Sequence, residues 1–410
     1  MARKRSNGEG SIIKRKDGTW SAYLSNVFDP STGKFKRKYF YAKTQKEVLA
    51  KLEEARNKQK NGGVIDPIKI TLGEFLDLWL TEFKKPILRP STYESYEYII
   101  RLHIKPSLGN ILLRDLKPEQ IQSYYNQKAK TGRVDKSTRP DLSPRTIRYI
   151  HTILKQALEQ AVKNEYVDKN VACLTSVPPK KKKEVRVLTL EEQKAFLNAL
   201  DGVRLSAAFK LALASGVRLG ELLALKWEHV DLQEGSIKIT QSLRRIKTFD
   251  ENAPTKTSII FQDPKTESGK RHIPIPSSVI SDLKTHKRKQ NEEKLLLGEA
   301  YLDNDLVFCT ELGKALEPRN FTRLFYSITK KANLKGVNFH ALRHTYATRL
   351  LEANEHPKVV QELLGHSSIT MTLDIYSHVM PEVKKAAAQK INHLFSNTSD
   401  FIILNSNTSS

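Results

Sequence analysis

Cysteine is scarce in this sequence: Cys173 and Cys309 are the only two in 410 residues. Two thiols so far apart exclude a disulfide scaffold and a thiolate zinc site, and they fit a reducing cytosol. Long apolar runs are missing as well. No segment approaches roughly eighteen uncharged apolar residues, and the N-terminus carries no apolar signal core, so the sequence predicts neither membrane insertion nor secretion. Negative charge is also in short supply, with 45 Asp and Glu against 69 Lys and Arg, a formal net charge of +24 and a pI near 9.7. That imbalance exceeds what solubility needs and points to nucleic acid as the partner. There is no carboxylate cluster suited to magnesium and no internal repeat. A hydrophobic content of 39% over this length still supports two or three folded domains.

The positive charge is concentrated at the start, where residues 1–60 hold sixteen Lys and Arg against six acidic residues. Within that segment "DGT" at Asp17–Thr19 and "DPSTGK" at Asp29–Lys34 are turn signals between alternating apolar and polar residues, and helical spacing begins at Thr44. The pattern predicts a small three-stranded sheet plus a helix over residues 1–62. Its exposed strands are expected to carry Lys36, Arg37, Lys38, Tyr39 and Phe40, a mixture suited to a DNA groove, with Lys14 and Arg15 as further DNA contacts.

"NGG" at Asn61–Gly63 and Pro67 mark a linker. Thr71 with Glu74 forms a capping box, and new helix starts follow at Pro90, at "KPEQIQ" and at Ser143 with Pro144 in the first helical position. Residues 68–172 therefore read as an all-α helical domain. The run "VPPKKKKEVR" cannot pack, and residues 173–187 form a basic linker in which Lys180, Lys181 and Lys182 are DNA-contact candidates. A capping box at Thr189 and Glu192 opens a mixed, mainly helical domain over residues 188–395, with strands at "SIKIT", "SLRRIKT" and "RHIPIP", a helix from Leu219 to Trp227 and mostly helix from Val279 to His393. Residues 396–410 form a tail that is polar apart from "FIIL". The fold class is a multidomain α+β chain.

Three stretches of the last domain carry chemistry-bearing residues. In "ASGVRLGELLALKW" Arg218 precedes an apolar helix and Glu221 lies within reach of it on one face. In "HALRHTYATRLL" His340 and Arg343 share a helix face; Ala341 stands where a zinc-protease motif needs its glutamate, so that reading fails. In "LLGHSSITMTLDIYSHV" Tyr376 lies between His366 and His378. Arginines, histidines and one phenol without a metal-holding cluster form a kit for phosphoryl chemistry. Cleaving a phosphodiester gathers negative charge on the non-bridging oxygens, which guanidinium forks bind in bidentate fashion. A phenol can attack phosphorus and hold it as an ester while the sugar hydroxyl leaves. Tyr346, on the Arg343 helix, reads as core, and Tyr301 and Tyr326 have none of these partners nearby in sequence.

These stretches, together with "PKTESGKRHIPI", resemble the successive catalytic boxes of the tyrosine recombinases, the phage integrase family, in order and in spacing. The resemblance covers about residues 187–385 and extends more weakly to the helical segment, similar to a core-type DNA-binding domain, and to the N-terminal sheet, similar to the arm-binding domain of integrases from Gram-positive phages and integrative conjugative elements. It implies that Arg218 and Arg343 bind the scissile phosphate, that His340 and His366 donate hydrogen bonds to it and assist proton transfer, and that Tyr376 is the nucleophile. It also implies that Lys265 protonates the leaving 5′ oxygen, that Glu221 braces the first arginine, and that Lys270 and Arg271 contact the DNA backbone.

The implied enzyme is a site-specific recombinase that integrates, and by reversal excises, a mobile element or prophage through 3′-phosphotyrosyl intermediates and a Holliday junction. It needs no cofactor and no metal. Its implied partners are double-stranded DNA with core and arm sites, three further copies in a homotetramer, an excision factor and a host DNA-bending protein, in the cytoplasm of a bacterial host. The segment after Tyr376 is expected to pack on a neighbouring protomer. Two rivals are a type IB topoisomerase, disfavoured by the small DNA-reading sheet, and a sequence-specific DNA-binding protein without strand exchange, disfavoured by the complete residue set.

Overall fold

Alternation after Ser11 produces an antiparallel sheet of β1 (Ser11–Lys14), β2 (Trp20–Asp29) and β3 (Lys34–Ala42), in that order. The computed structural model describes residues 11–15, 17–29, 34–60, 70–133, 140–180, 186–249, 254–264, 267–376 and 388–389; for 11–12, 24–29, 34–38, 54–60, 267 and 374–376 it describes the backbone alone. It divides into two compact units, Met1–Lys181 and Lys182–Ser410.

The β1–β2 turn is held by Asp17, whose Oδ1 accepts the Thr19 N–H at 3.0 Å and hydroxyl at 2.6 Å. Helix α1 (Gln45–Lys60) lays Val48 and Leu52 on Ala22, Trp20 and Phe40. Strand periodicity corrects one expectation here. Tyr39 and Tyr41 are each half exposed on the open face, so Phe40 between them points into the core rather than outward.

The helical part of the first unit contains α2 (Leu72–Leu78), α3 (Pro90–Ile99), α4 (Lys105–Leu108), α5 (Pro118–Thr131) and α6 (Pro144–Lys163). The predicted capping box is present: Glu74 N–H donates to Thr71 Oγ1 at 3.3 Å, and the Glu74 carboxylate accepts the Thr71 N–H at 2.8 Å. Wide π-type turns at Trp79–Lys84 and Ile100–Ile104 continue α2 and α3. Along α6, Ile147, Ile150, Ile153, Leu154, Ala157, Leu158 and Ala161 form one buried stripe, each large member contributing about 1.5–3 kcal/mol. They pack into a core that contains Trp79, stacked on Tyr96 at 5.9 Å.

The second unit opens with α7 (Leu190–Ala199), α8 (Ser206–Ser215) and α9 (Leu219–Leu223). A three-stranded antiparallel sheet of β4 (Val230–Asp231), β5 (Ser236–Ile239) and β8 (Arg271–Pro274) follows, with a separate hairpin of β6 (Ser242–Lys247) and β7 (Thr257–Gln262) inserted between. Strand β7 carried no separate signal in the sequence reading. The remaining helices are α10 (Ser277–Leu297), α11 (Pro318–Lys331), α12 (Phe339–Glu352), α13 (Pro357–Leu364) and α14 (Ile369–Tyr376). Helix α8 runs through the core, where Phe209 stacks on Phe321 at 4.7 Å and meets Phe196 edge-on. Helix α9 stops at Leu223 instead of reaching Trp227, because the next residues pair as extended chain: Val307 N–H donates to Leu225 O at 2.9 Å and Trp227 N–H to Asp305 O at 2.9 Å. No helix among the described residues is long and apolar enough to cross a membrane.

Candidate active site

Helix α9 is preceded by Gly216, which ends α8 in the left-handed region at φ +62°, and by Arg218 at its N-cap. Gly220 lets α9 approach β6 closely: a Cβ there would lie 2.4 Å from Ser242 Oγ and 2.7 Å from Leu243 O. The approach places Glu221 beneath Arg218, where it accepts the Arg218 backbone N–H at 3.0 Å and Nη1 at 2.7 Å.

The end of α13 organises the rest. The last carbonyls of a helix have no partner inside it and carry partial negative charge. Here three successive ones each receive a guanidinium: Leu363 O accepts Arg271 Nε at 2.7 Å, Leu364 O accepts Arg343 Nη2 at 2.6 Å, and Gly365 O accepts Arg218 Nη2 at 3.3 Å. Arg343 reaches this point from α12 and also donates from Nη1 to Gly216 O at 2.7 Å. The two ends of the motif "SGVRLGE" and the helix "HALRH" are thereby fastened to the loop that carries His366.

Arg271 is a correction. It was expected on DNA phosphates, yet its side chain is 5% exposed and its fork is spent on Leu363 O, on Gly269 O at 3.1 Å and on Glu221 Oε2 at 2.8 Å. With Nε, Nη1 and Nη2 each already on a protein acceptor, this guanidinium is committed to the interior. It is instead a buried counterion that shares Glu221 with Arg218. Burial alone would raise the Glu221 carboxyl, but Arg271 and then Arg218 outweigh it and hold the group below its ordinary range.

Arg343 is 2% exposed, and burial, then the nearby Arg218 and Arg271 charges, bring its pKa down to about 9. It stays charged at neutral pH, and of its five N–H donors two are on carbonyls. His366, just beyond Gly365, is 6% exposed, and its Nδ1 lies 2.9 Å from Thr372 Oγ1. Burial, then Arg343, Arg218, His344 and His340, push it down to about 3, so the ring is neutral. His340 reaches the surface of α12, and desolvation followed by Arg343 and Arg218 lowers it as well. Its ring meets His344 edge-on at 4.5 Å, which brings His344 into the same cluster.

Arg218, Glu221, His340, Arg343 and His366, drawn from α9, α12 and the α13–α14 turn, are thus assembled around one point. Tyr376 closes α14, whose backbone alone is described at that position. Lys265, Lys181, Lys182 and His378 lie outside the described residues, as does the tail over 396–410. Lys14 and Arg15 are exposed on the N-terminal sheet, over the Trp20 and Tyr41 rings at 5.9 and 5.2 Å, and Arg15 pairs with Asp17 at 3.3 Å. Lys180 and Lys270 are exposed; Lys36, Arg37 and Lys38 lie on β3, and their side chains are outside the described set. Tyr346 packs with Ala347, Leu351 and Leu364, in keeping with a core role, and burial raises its phenol. Sequence reasoning missed Thr372 and the inward role of Arg271, for which no local motif signals.

The sequence model of the phage integrase family matches residues 186–382, and that of the phage integrase N-terminal SAM-like domain matches residues 71–129. A tyrosine recombinase XerC-like protein of Caldanaerobacter subterraneus subsp. tengcongensis is 39% identical over 374 residues, covering 88% of this chain and 93% of its own. Among solved structures, the Tn1549 transposon integrase in complex with transposon right end DNA superposes with a TM-score of 0.64 at 22% identity, over 79% of this chain and 100% of that one. A lambda integrase tetramer bound to a Holliday junction gives 0.52 at 20% identity, over 91% and 96%. With its site assembled at the end of α13 and a relative this similar along nearly its whole length, the chain belongs to the phage integrase family of tyrosine recombinases.

Proposed function

We propose that Arg218, Lys265, His340, Arg343, His366 and Tyr376, with Glu221 as brace, carry out site-specific DNA strand exchange. As a tyrosine recombinase the chain is an enzyme of DNA strand transesterification. One observation supports the residue roles above all: three guanidiniums gather on the end of α13, two of them sharing the Glu221 carboxylate, beside histidines held neutral. Such a site carries surplus positive charge fixed in place, which favours a phosphate whose non-bridging oxygens gain charge in the transition state. Arg218, 39% exposed, is the more accessible fork, and Arg343 is the buried one, fixed on the carbonyls of Gly216 and Leu364.

In the proposed reaction the Tyr376 phenolic oxygen bonds to phosphorus and the bond to the 5′ oxygen breaks. Neutral His340 is able to take the phenolic proton, His366 donates a hydrogen bond to the phosphate, and Lys265 protonates the leaving 5′ oxygen. The ester keeps the phosphodiester energy, so a 5′ hydroxyl from a second duplex reverses the step and frees the phenol. Strand exchange then passes through a Holliday junction in a tetramer, the assembly in which lambda integrase was solved.

The proposed division of labour gives arm-site binding to residues 1–62, core-site binding to 68–172, a basic linker over 173–187 and catalysis to 188–395. Lys14, Arg15, Lys36, Arg37, Lys38, Lys180, Lys181, Lys182 and Lys270 are the proposed phosphate contacts. The test is incubation with a nicked suicide substrate carrying the attachment site, followed by denaturing electrophoresis. A denaturant-stable protein–DNA adduct is expected from the wild type and none from Tyr376→Phe; an adduct that persists in Tyr376→Phe would overturn the nucleophile assignment.

A further inference from the structure

His366 and Thr372 meet in a closed setting, the ring 6% exposed and the threonine fully buried, with Nδ1 and Oγ1 2.9 Å apart. A neutral imidazole holds one proton, and the partner of one nitrogen decides what the other can do. The contact can run two ways. If Nδ1–H donates, the Thr372 hydroxyl proton needs a second acceptor. Thr345, equally buried on α12, shows what such an acceptor looks like: its hydroxyl donates to Ala341 O at 2.8 Å, one turn back. Among the described residues Thr372 has no such bond, and the ring nitrogen is its one partner. A buried hydroxyl proton without an acceptor is costly, whereas an oxygen lone pair tolerates the same isolation better. The favoured arrangement is therefore Thr372 O–H donating to Nδ1, which leaves the ring proton on Nε2.

We propose that Thr372 is a positioning residue for strand transfer: its hydroxyl donates to His366 Nδ1, fixes the Nε2–H tautomer and so makes His366 a neutral hydrogen-bond donor to the scissile phosphate. The inference rests on the reading of His366 given above. It answers a difficulty in that reading, because a ring that stays unprotonated at neutral pH can donate from Nε2 only in this tautomer. With Nδ1–H instead, Nε2 would present a lone pair to the phosphate and repel it. The bond has a second effect. Thr372 lies on α14 one helical turn before Tyr376, so the contact also ties the helix bearing the nucleophile to the turn between α13 and α14.

The test uses the full chain labelled with 15N-histidine and long-range proton–nitrogen NMR, the His366 signals being assigned by their loss in His366→Gln. The wild type is expected to show a single Nε2–H tautomer that does not change between neutral and mildly acidic pH. Thr372→Ser is expected to keep it, and Thr372→Val to lose the single-tautomer pattern. On the suicide substrate, Thr372→Val is expected to cleave roughly 10- to 100-fold more slowly, by analogy with the loss when a partner that orients a metal-bound histidine is removed. Thr372→Ser should stay within about three-fold of wild type, and adding Thr372→Val to His366→Gln should change cleavage by less than about two-fold. An Nδ1–H tautomer in the wild type would overturn the proposal. So would a Thr372→Val protein that keeps the Nε2–H pattern and full activity, or an equal further loss in the His366→Gln background, which would mark a purely structural threonine. The NMR readout needs no catalysis, so failure of Tyr376 as nucleophile would leave the tautomer assignment standing and be recognised separately.

Discussion

Replacing Glu221 by alanine removes the carboxylate that joins Arg218 and Arg271, and its cost can be divided between these two partners. Arg218 has a side chain 39% exposed and can turn toward water, so losing its contact costs below about 1 kcal/mol. Arg271 cannot: at 5% exposure it would keep the Leu363 and Gly269 carbonyls but face no compensating charge. Breaking a buried pair from one side costs about 3–5 kcal/mol, so the Arg271 share dominates. At about 1.4 kcal/mol per decade this corresponds to a loss of roughly 100-fold or more in hydrogen-exchange protection. The assay is exchange followed by mass spectrometry on peptides from α8 and α12, with α6 of the other unit as internal reference. A matched control is Glu97→Gln, whose partner Arg101 is 50% exposed and whose loss should cost below about 0.5 kcal/mol. The pH dependence follows from the same contacts. Although burial pushes the Glu221 carboxyl up, Arg271 and Arg218 hold it below the ordinary 4.5, so the folded state keeps it ionised where the unfolded state binds a proton. The stability it contributes is therefore present above about pH 4.5 and is lost as pH falls through the folded value. A Glu221→Ala protein with protection within about three-fold of wild type in α8 and α12 would refute the reasoning.

Three further outcomes are expected. Arg271→Lys should lower stability by about 1.5–3 kcal/mol, because one ammonium cannot serve three acceptors of a planar fork, and should leave the slope of log affinity against log salt unchanged. Lys270→Ala should instead reduce that slope by about 0.9 in anisotropy titrations; the opposite pattern would put Arg271 on DNA. Gly365→Ala should cost about 1–3 kcal/mol and slow adduct formation, since its φ is +62° and the new Cβ would lie 2.7 Å from Ser268 O; Gly202→Ala, at φ +75° with nothing within 4 Å, should lose only the conformational part and cleave normally. His366, depressed to about 3 from an ordinary 6.5, should contribute stability that is complete above about pH 6.5 and declines as pH falls toward 3. Cleavage rates should accordingly show no His366 limb between about pH 6 and 8, and a limb near 6.5 that disappeared in His366→Gln would contradict this.

Much of the architecture was legible because its signals are local. Capping pairs such as Thr71 with Glu74 and Thr189 with Glu192, prolines at first helical positions, and the apolar stripe of α6 announce helices within a turn or two of sequence, and each is present in the structure. The turn at Asp17–Thr19 likewise set the first hairpin. What the strands did with their side chains was less legible: a slip of one position turns Phe40 from groove to core, and strand β7 has no strong turn marker at its start.

The candidate site divides along the same line. Which residue types would act, two arginines, two histidines and a phenol without a metal cluster, is a property of the sequence alone, since their chemistry is intrinsic and their boxes keep their internal spacing. Whether a given basic residue faces DNA or the interior depends on what the folded chain brings beside it. Lys270 and Arg271 are neighbours in sequence, yet one is exposed and the other is enclosed by Glu221 and the carbonyl of Leu363, contributed by segments 50 and 92 residues away. The same holds for Thr372, an ordinary helix threonine until α13 and α14 fold its hydroxyl onto an imidazole. Only the tertiary structure decides such cases, because burial and hydrogen-bond partners from distant segments do not exist until the chain has packed.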